Sequence, residues 1–197
     1  MRRFFGQALG LAVIMTASLG GYLLVLKWRG GAARFCTQTP WDESIPLQPA
    51  WVWVYLLPYL IGPLVMGLVR PETFRWYIKR GLMVVALSLI IFICVPTKIA
   101  DRATDIADSS LTGVLYTQMV TIDEPPANAA PSLHVSLTFL LALALWRDFP
   151  KWWPVTAVGV ILVWLATLFT HQHHLLDVAT GILLASLVCW LWPERFA

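Results

Sequence analysis

The stretch His171-Gln172-His173-His174-Leu175-Leu176-Asp177 stands between two apolar runs. A second polar knot, Pro131-Ser132-Leu133-His134, also opens an apolar run. Histidines and a carboxylate at the mouths of apolar segments decide the reading: a membrane bundle with its chemistry gathered at one end. Of the 197 residues, 58% are hydrophobic and 13% charged, against about 25% charged in soluble domains. The net charge of +3 is too small to argue for a nucleic-acid partner. The charges cluster between apolar runs, as in a polytopic membrane protein. Three cysteines, Cys36, Cys94 and Cys189, give no disulfide framework.

The expected fold is all-α: one integral membrane domain, 1–197, built as a six-transmembrane-helix bundle with no fused soluble phosphatase. The spans are expected at about 8–26, 51–69, 81–95, 133–146, 153–169 and 175–192. The first follows Met1-Arg2-Arg3 and continues through Tyr22 to Leu26, which favours an uncleaved span over a signal peptide. Pro58, Gly62 and Pro63 predict a kinked second helix. Residues 70–80 read as a basic connector, and Pro96 ends the third span. In the polar segment 97–130, Ala107, Leu111, Val114, Leu115 and Gln118 share a face with Met119 beside it. They predict a short helix on the membrane surface that packs on the bundle; the alternative is a wall of the substrate entrance. Residues 147–151 read as a tight connector, and Glu194-Arg195 close the chain. Most tryptophans stand near span ends, as in an aromatic belt; Trp164 is the exception.

Sidedness follows from the cations. With the N-terminus inside, the inner segments hold Arg2, Arg3, Arg70, Arg75, Lys79, Arg80, Arg147, Lys151 and Arg195. The outer segments hold Lys27, Arg29, Arg34, Lys98 and Arg102. Nine against five predicts both termini in the cytoplasm, with His134 and 171–177 on the external face of a bacterial cytoplasmic membrane.

Beyond the histidines and Asp177, no ionisable residue is expected inside or at the mouth of a span, where such groups are costly and usually functional. His173 and Asp177 are four apart, so a helix would put them on one face. The carboxylate would accept the Nδ1 proton and leave Nε2 free to attack; the plain alternative is a polar helix cap. His174 would point about 100° away, and His171 precedes the helix and can only assist. Ser132 suits an N-cap, with the amides of the following turn as an anion site. His134 on that turn could protonate a leaving oxygen. Capping alone also explains Ser132. Lys98 and Arg102 could supply charge for phosphate oxygens, sharing a face if their segment is helical; loop solubility is the alternative.

Pro131-Ser132-Leu133-His134, then a span, a basic turn, another span and His173-x3-Asp177, resembles the type 2 phosphatidic acid phosphatase superfamily. These membrane lipid phosphatases share a helical-bundle fold with vanadium haloperoxidases. The stretches 122–128 and 172–177 look closer still to the branch holding inositol phosphorylceramide synthase-like proteins. The resemblance implies that His173 forms a phosphohistidine, Asp177 orients it, His134 protonates the leaving group and Ser132 binds phosphate. Two positions depart from the pattern. Lys98 and Arg102 are separated by three residues rather than six, with Ala103 for the usual proline. Thr167 stands where the third motif carries an arginine, which leaves His171 to help bind phosphate.

The expectation is a metal-independent membrane lipid phosphatase with no cofactor, acting on a lipid phosphate monoester or pyrophosphate. The alternative is a lipid phosphotransferase, in which an alcohol replaces water. A different class is a metal- or haem-binding membrane protein with His134, His171, His173 and His174 as ligands. A transporter is disfavoured, because no charge is expected at mid-membrane.

Overall fold

The computed structural model describes residues 2–100, 102, 103, 106 and 108–193. Ala107, Glu194 and Arg195, and the side chains of Arg2 and Arg3, lie outside the described residues. The helices are α1 Arg2–Met15, α2 Gly21–Arg29, α3 Val52–Met66, α4 Pro71–Cys94, α5 Leu111–Ile122, α6 Leu133–Asp148, α7 Trp153–Phe169 and α8 Leu175–Leu191. A π-helical turn, Thr16–Gly20, joins α1 to α2. The short strand β1, Phe35–Cys36, pairs in parallel with β2, Thr97–Lys98.

Four stretches are long and apolar enough to cross a membrane: Leu9–Ala32, Pro49–Met66, Pro71–Cys94 and Pro150–Phe169. They make this an integral membrane protein and answer to the first, second, third and fifth expected spans. The fourth and sixth correspond to α6 and α8, of 16 and 17 residues. At 1.5 Å per residue these reach only about 24–26 Å, short of a hydrocarbon core of about 30 Å. Each is cut short by a polar cap: Ser132 opens α6 and His174 opens α8.

The basic connector expected at 70–80 is helical instead. Pro71 takes the first position of α4, where its fixed φ suits a helix start. Arg and Lys are good helix formers, so charge alone does not break the segment. Arg80 therefore lies inside a span. It is buried, its guanidinium sits over the Trp76 ring at 4.7 Å, and it donates to the Trp192 carbonyl. This corrects the expectation that only the histidines and Asp177 are ionisable there.

Helix α6 packs against α4, α7 and α8. One buried cluster holds Ile14, Met66, Tyr77, Val84, Leu140, Ala144, Leu184 and Val188. Trp164 is no stray belt residue: its Nε1 donates to Thr138 Oγ1 at 3.0 Å. Asp148 accepts from the Arg70 amide at 2.6 Å, Arg70 Nε at 2.9 Å and Thr73 Oγ1 at 2.7 Å, which ties the α3–α4 turn to the end of α6. Where α8 crosses the start of α6, Gly181 is required: a Cβ there would meet the Ser132 carbonyl at 2.8 Å. That approach sets Asp177, one turn earlier, beside Ser132, whose amide donates to the Asp177 carbonyl at 3.1 Å. All three cysteines are free.

Candidate active site

The loop carrying His173 is made by the end of α7. The His171 amide donates to Leu168 O at 2.9 Å and the Gln172 amide to Thr167 O at 3.0 Å. Together these bonds form a Schellman motif with His171 at the left-handed position, φ 52°. Glycine is usual there, so a histidine at this φ is uncommon. Its ring is used: Nε2 lies 3.1 Å from Ile45 O. The Thr167 carbonyl also accepts from the His173 amide at 3.1 Å. The residue at the family's arginine position thus holds the histidine loop with its backbone.

Helix α8 begins only at Leu175, so His173 and Asp177 do not share a helical face. His174 is the N-cap, and Asp177 reaches back to it: Oδ2 accepts from the His174 amide at 2.7 Å. This is half of a capping box. The same oxygen lies 3.5 Å from His173 Nδ1. Asp177 is therefore both a cap and a neighbour of the histidine. His173 Nδ1 and Asp177 Oδ1 are buried without hydrogen-bond partners. Unpaired buried polar atoms call for an explanation. Nδ1 has Asp177 Oδ2 at 3.5 Å, and catalytic hydrogen bonds are often long before substrate binds. His174 turns elsewhere, with Nδ1 2.9 Å from Thr37 Oγ1. Burial holds its pKa below the ordinary histidine value, against the pull of Asp177 and Asp42.

Ser132 caps α6, accepting from the Val135 amide at 3.3 Å, and is fully buried. His134, one residue into the helix, stacks on Tyr55 with ring centroids 4.4 Å apart. Its Nδ1 lies 3.2 Å from Tyr59 Oη, and its Nε2 is buried with no partner.

His134 and His173 line one cavity of about 460 Å³. Gln172, Asp123 and Asn128 make its polar end; its walls are mostly aliphatic and aromatic side chains, with Ser18, Gln118 and Thr138 interspersed. Leu115, Gln118, Met119 and Ile122 of α5 are among them, so this helix is a wall of the cavity as well as a packed element. Arg102 is buried behind the polar end. It pairs with Asp123, donates to Asp123 O at 2.7 Å and Gln172 Oε1 at 3.2 Å, and lies 3.8 Å from Glu124. Tyr22 donates to the same Asp123 carboxylate.

A smaller polar pocket of about 250 Å³ lies on the other side of His173, lined by Gln38, Asp42, Glu43, His171 and His174 among others. Its wall is the α2–α3 loop, which grips the histidine loop at four points. Gln48 N donates to Phe169 O at 2.8 Å, and the His171 ring meets Ile45 O. Thr37 meets the His174 ring, and Asp42 Oδ1 accepts from the Leu175 amide at 2.8 Å. Asp42 is itself fixed by the Thr39 amide at 2.7 Å and Thr39 Oγ1 at 2.6 Å. Burial pushes its carboxyl up, but these bonds outweigh it and hold the group below the usual carboxylate range.

The structure thus brings together His134, His173, Asp177 and, one layer back, Arg102 and Ser132. Lys98 is exposed on β2 and bridges to Ala127. It is extended rather than helical, shares no helical face with Arg102 and does not line the cavity. His171 faces the smaller pocket. The four histidines do not converge, and among the described residues no three His, Cys, Asp or Glu side chains are placed to hold a metal ion. Sequence reasoning missed Tyr55, Tyr59, Asp123 and Asp42. Tyrosines four apart in an apolar run, and the acidic pairs Asp42-Glu43 and Asp123-Glu124 between spans, were the available signals.

A family model for the PAP2 superfamily matches residues 22–191. No curated protein and no solved structure matches the chain. The match takes in most of the sequence, both histidine motifs and the helices that carry them, and the chain belongs to this superfamily.

Proposed function

We propose that this PAP2 superfamily protein hydrolyses a lipid phosphate monoester or pyrophosphate through a phosphohistidine, at the external face of the membrane. Membership of the superfamily supports phosphatase-type chemistry in general. The observation that carries the finer reading is the meeting of His134 and His173, from two separate motifs, in one cavity with apolar walls. His173 Nε2 attacks phosphorus and the bond to the lipid oxygen breaks. Asp177 takes up the hydrogen bond from Nδ1 and steadies the charge that forms on the ring. His134, whose Nε2 is free of partners, gives its proton to the departing oxygen. Water then attacks phosphorus, the P–N bond breaks, and His134 takes the proton back. The first amides of α6 hold the phosphate oxygens, with the Arg102 charge and the Ser132 hydroxyl one layer behind them. Lys98 and His171 have no part in this scheme.

The test is phosphate release from a panel of lipid phosphates by purified protein, with EDTA and with alcohol acceptors added in separate arms. Release that survives EDTA, with acid-labile and base-stable phosphate trapped on the protein, supports the reading. A phosphoryl group found on the alcohol identifies the transferase instead. Loss on chelation that a defined metal restores, or no trapped phosphate at steady turnover, overturns it.

A further inference from the structure

The cavity runs far deeper than a phosphate needs. Its polar end is fixed by His134, Asp123 and Gln172. From the level of Tyr59, which touches His134, the lining continues along α3 through Gly62 and Pro63 to Met66. Seven residues of helix carry it about 10 Å further. Along α6 it descends from His134 to Leu141, again about 10 Å. Along the first span it runs from Tyr22, which touches Asp123, to Ile14 and Leu11, at least about 12 Å. Three helices thus give the same depth. The deep end is lined by Leu11, Ile14, Met66 and Tyr77, the last three buried in one cluster.

We propose that this shaft holds one hydrocarbon chain of the substrate lipid, and that Ile14, Met66 and Tyr77 form a floor that sets the preferred chain length. The inference rests on the proposed phosphatase site, because the shaft opens onto His134 and His173. The occupant follows from chemistry. The walls below the histidines are aliphatic and aromatic with few polar atoms, and water there would lack the partners it needs. A chain attached to the phosphate lies along this lining with its polar end at the histidines. Gly62 makes the gauge adjustable. A Cβ there would meet only Leu141 Cδ2, at 4.0 Å, and Leu141 belongs to the facing wall. A larger side chain at Gly62 therefore projects across the shaft without a backbone clash, and replacing a helical glycine favours the helix.

The experiment compares straight-chain alkyl phosphates of increasing length, presented in the same mixed micelles, on wild type and Gly62→Leu. The wild type should rise in kcat/KM to an optimum length. Gly62→Leu should move that optimum to shorter chains, the longest esters losing about tenfold or more relative to the shortest, as hydrocarbon pockets discriminate against misfitting methylenes. An unchanged profile, or a uniform loss at all lengths, overturns the shaft. A second measurement does not depend on turnover. A non-hydrolysable alkyl phosphonate carrying a photoreactive group at the chain end should label peptides containing Ile14, Met66 or Tyr77. Labelling confined to outward-facing positions such as Leu64 and Leu183, exposed on the bundle surface, overturns it. Absence of turnover with floor labelling would reject the phosphatase reading and keep the shaft.

Discussion

Asp42 is expected to act on turnover through the start of α8, and its replacement measures what the α2–α3 loop contributes. Asp42→Ala removes the acceptor for the Leu175 amide at 2.8 Å and for both donors of Thr39. Loss of a capping side chain costs about 1 kcal/mol, and loss of a carboxylate at a helix N-terminus adds ~0.3–1 kcal/mol. A total of roughly 1.5–2 kcal/mol would lower Tm by about 4–8 °C for a chain of this size. The larger effect is positional. The start of α8 is what sets His174 and Asp177, and a displacement of ~1 Å at a reacting group costs ~10²-fold. The expected result is a fall in kcat of about 10–100-fold with KM little changed, because Asp42 lines the small polar pocket and not the apolar cavity. Asp42→Asn keeps an oxygen for Leu175 and should recover most of the loss. The assay is steady-state turnover of a lipid phosphate at matched folded fraction, with phosphohistidine trapping alongside. Unchanged kcat in Asp42→Ala, or a loss equal to the unfolded fraction, would refute the clamp; so would a rise in KM alone.

His173→Ala should lose turnover by about 10³-fold or more and trap no acid-labile phosphate, while Asp177→Asn should cost less but still heavily. A dead His174→Ala beside an active His173→Ala would reverse the assignment. His134→Ala should block lipid substrates most and p-nitrophenyl phosphate least, since a good leaving group needs little protonation; equal losses on both would remove its role as acid. Burial lowers the His174 pKa in the folded state, so the unfolded chain binds this proton more readily and stability falls as pH drops below the ordinary histidine value. His174→Gln should flatten that slope in thermal unfolding at several pH values, and an unchanged slope would exclude His174 as its source. Cys36 is exposed at the histidine end of the bundle and Lys151 is exposed at the opposite end. With Cys94 replaced throughout, an impermeant maleimide on intact cells should label Cys36 and not a Lys151→Cys variant that lacks Cys36; the reverse pattern would invert the topology.

The meeting of His134 and His173 was legible because span counting alone puts His134 and 171–177 on one side, and the structure puts both histidines in one cavity. The geometry between His173 and Asp177 was not. A four-residue spacing suggests a shared helical face, but His174 ends the loop and the carboxylate folds back as a cap. The two side chains approach each other by a different backbone path. Residues 70–80 misled because four cations look like a loop, whereas charge at a membrane border is compatible with a continuing helix begun by Pro71. The clamp was out of reach: Asp42 and Leu175 are 133 positions apart, and no local pattern marks such a contact. The aromatic cradle of His134 was hidden for another reason. Tyr55 and Tyr59 lie in an apolar run, where tyrosine reads as an interfacial anchor, and only packing reveals their ring contacts with the imidazole.

The departures from the family motifs and the shape of the cavity bear on one another. Where the pattern calls for several cations, the described residues bring Arg102 to the site. Arg102 is already paired with Asp123, whose carboxylate also accepts from Tyr22. An incoming phosphate must share that guanidinium with a fixed anion, so net attraction from side-chain charge is weak. The amides at the start of α6 add partial charge only over the first turn. Placement of phosphorus against His173 then has to come from the remainder of the substrate. On the proposed reading, a hydrocarbon chain seated against Ile14, Met66 and Tyr77 supplies it, since binding energy remote from the reacting bond can be used to position that bond. Turnover should therefore respond strongly to chain length and weakly to ionic strength. Asp123→Asn isolates the electrostatic part. Removing the competing anion should improve KM for the shortest alkyl phosphates, which lack a chain to place them, more than for the longest. Equal improvement at every length would mean that charge, and not the chain, seats the phosphate.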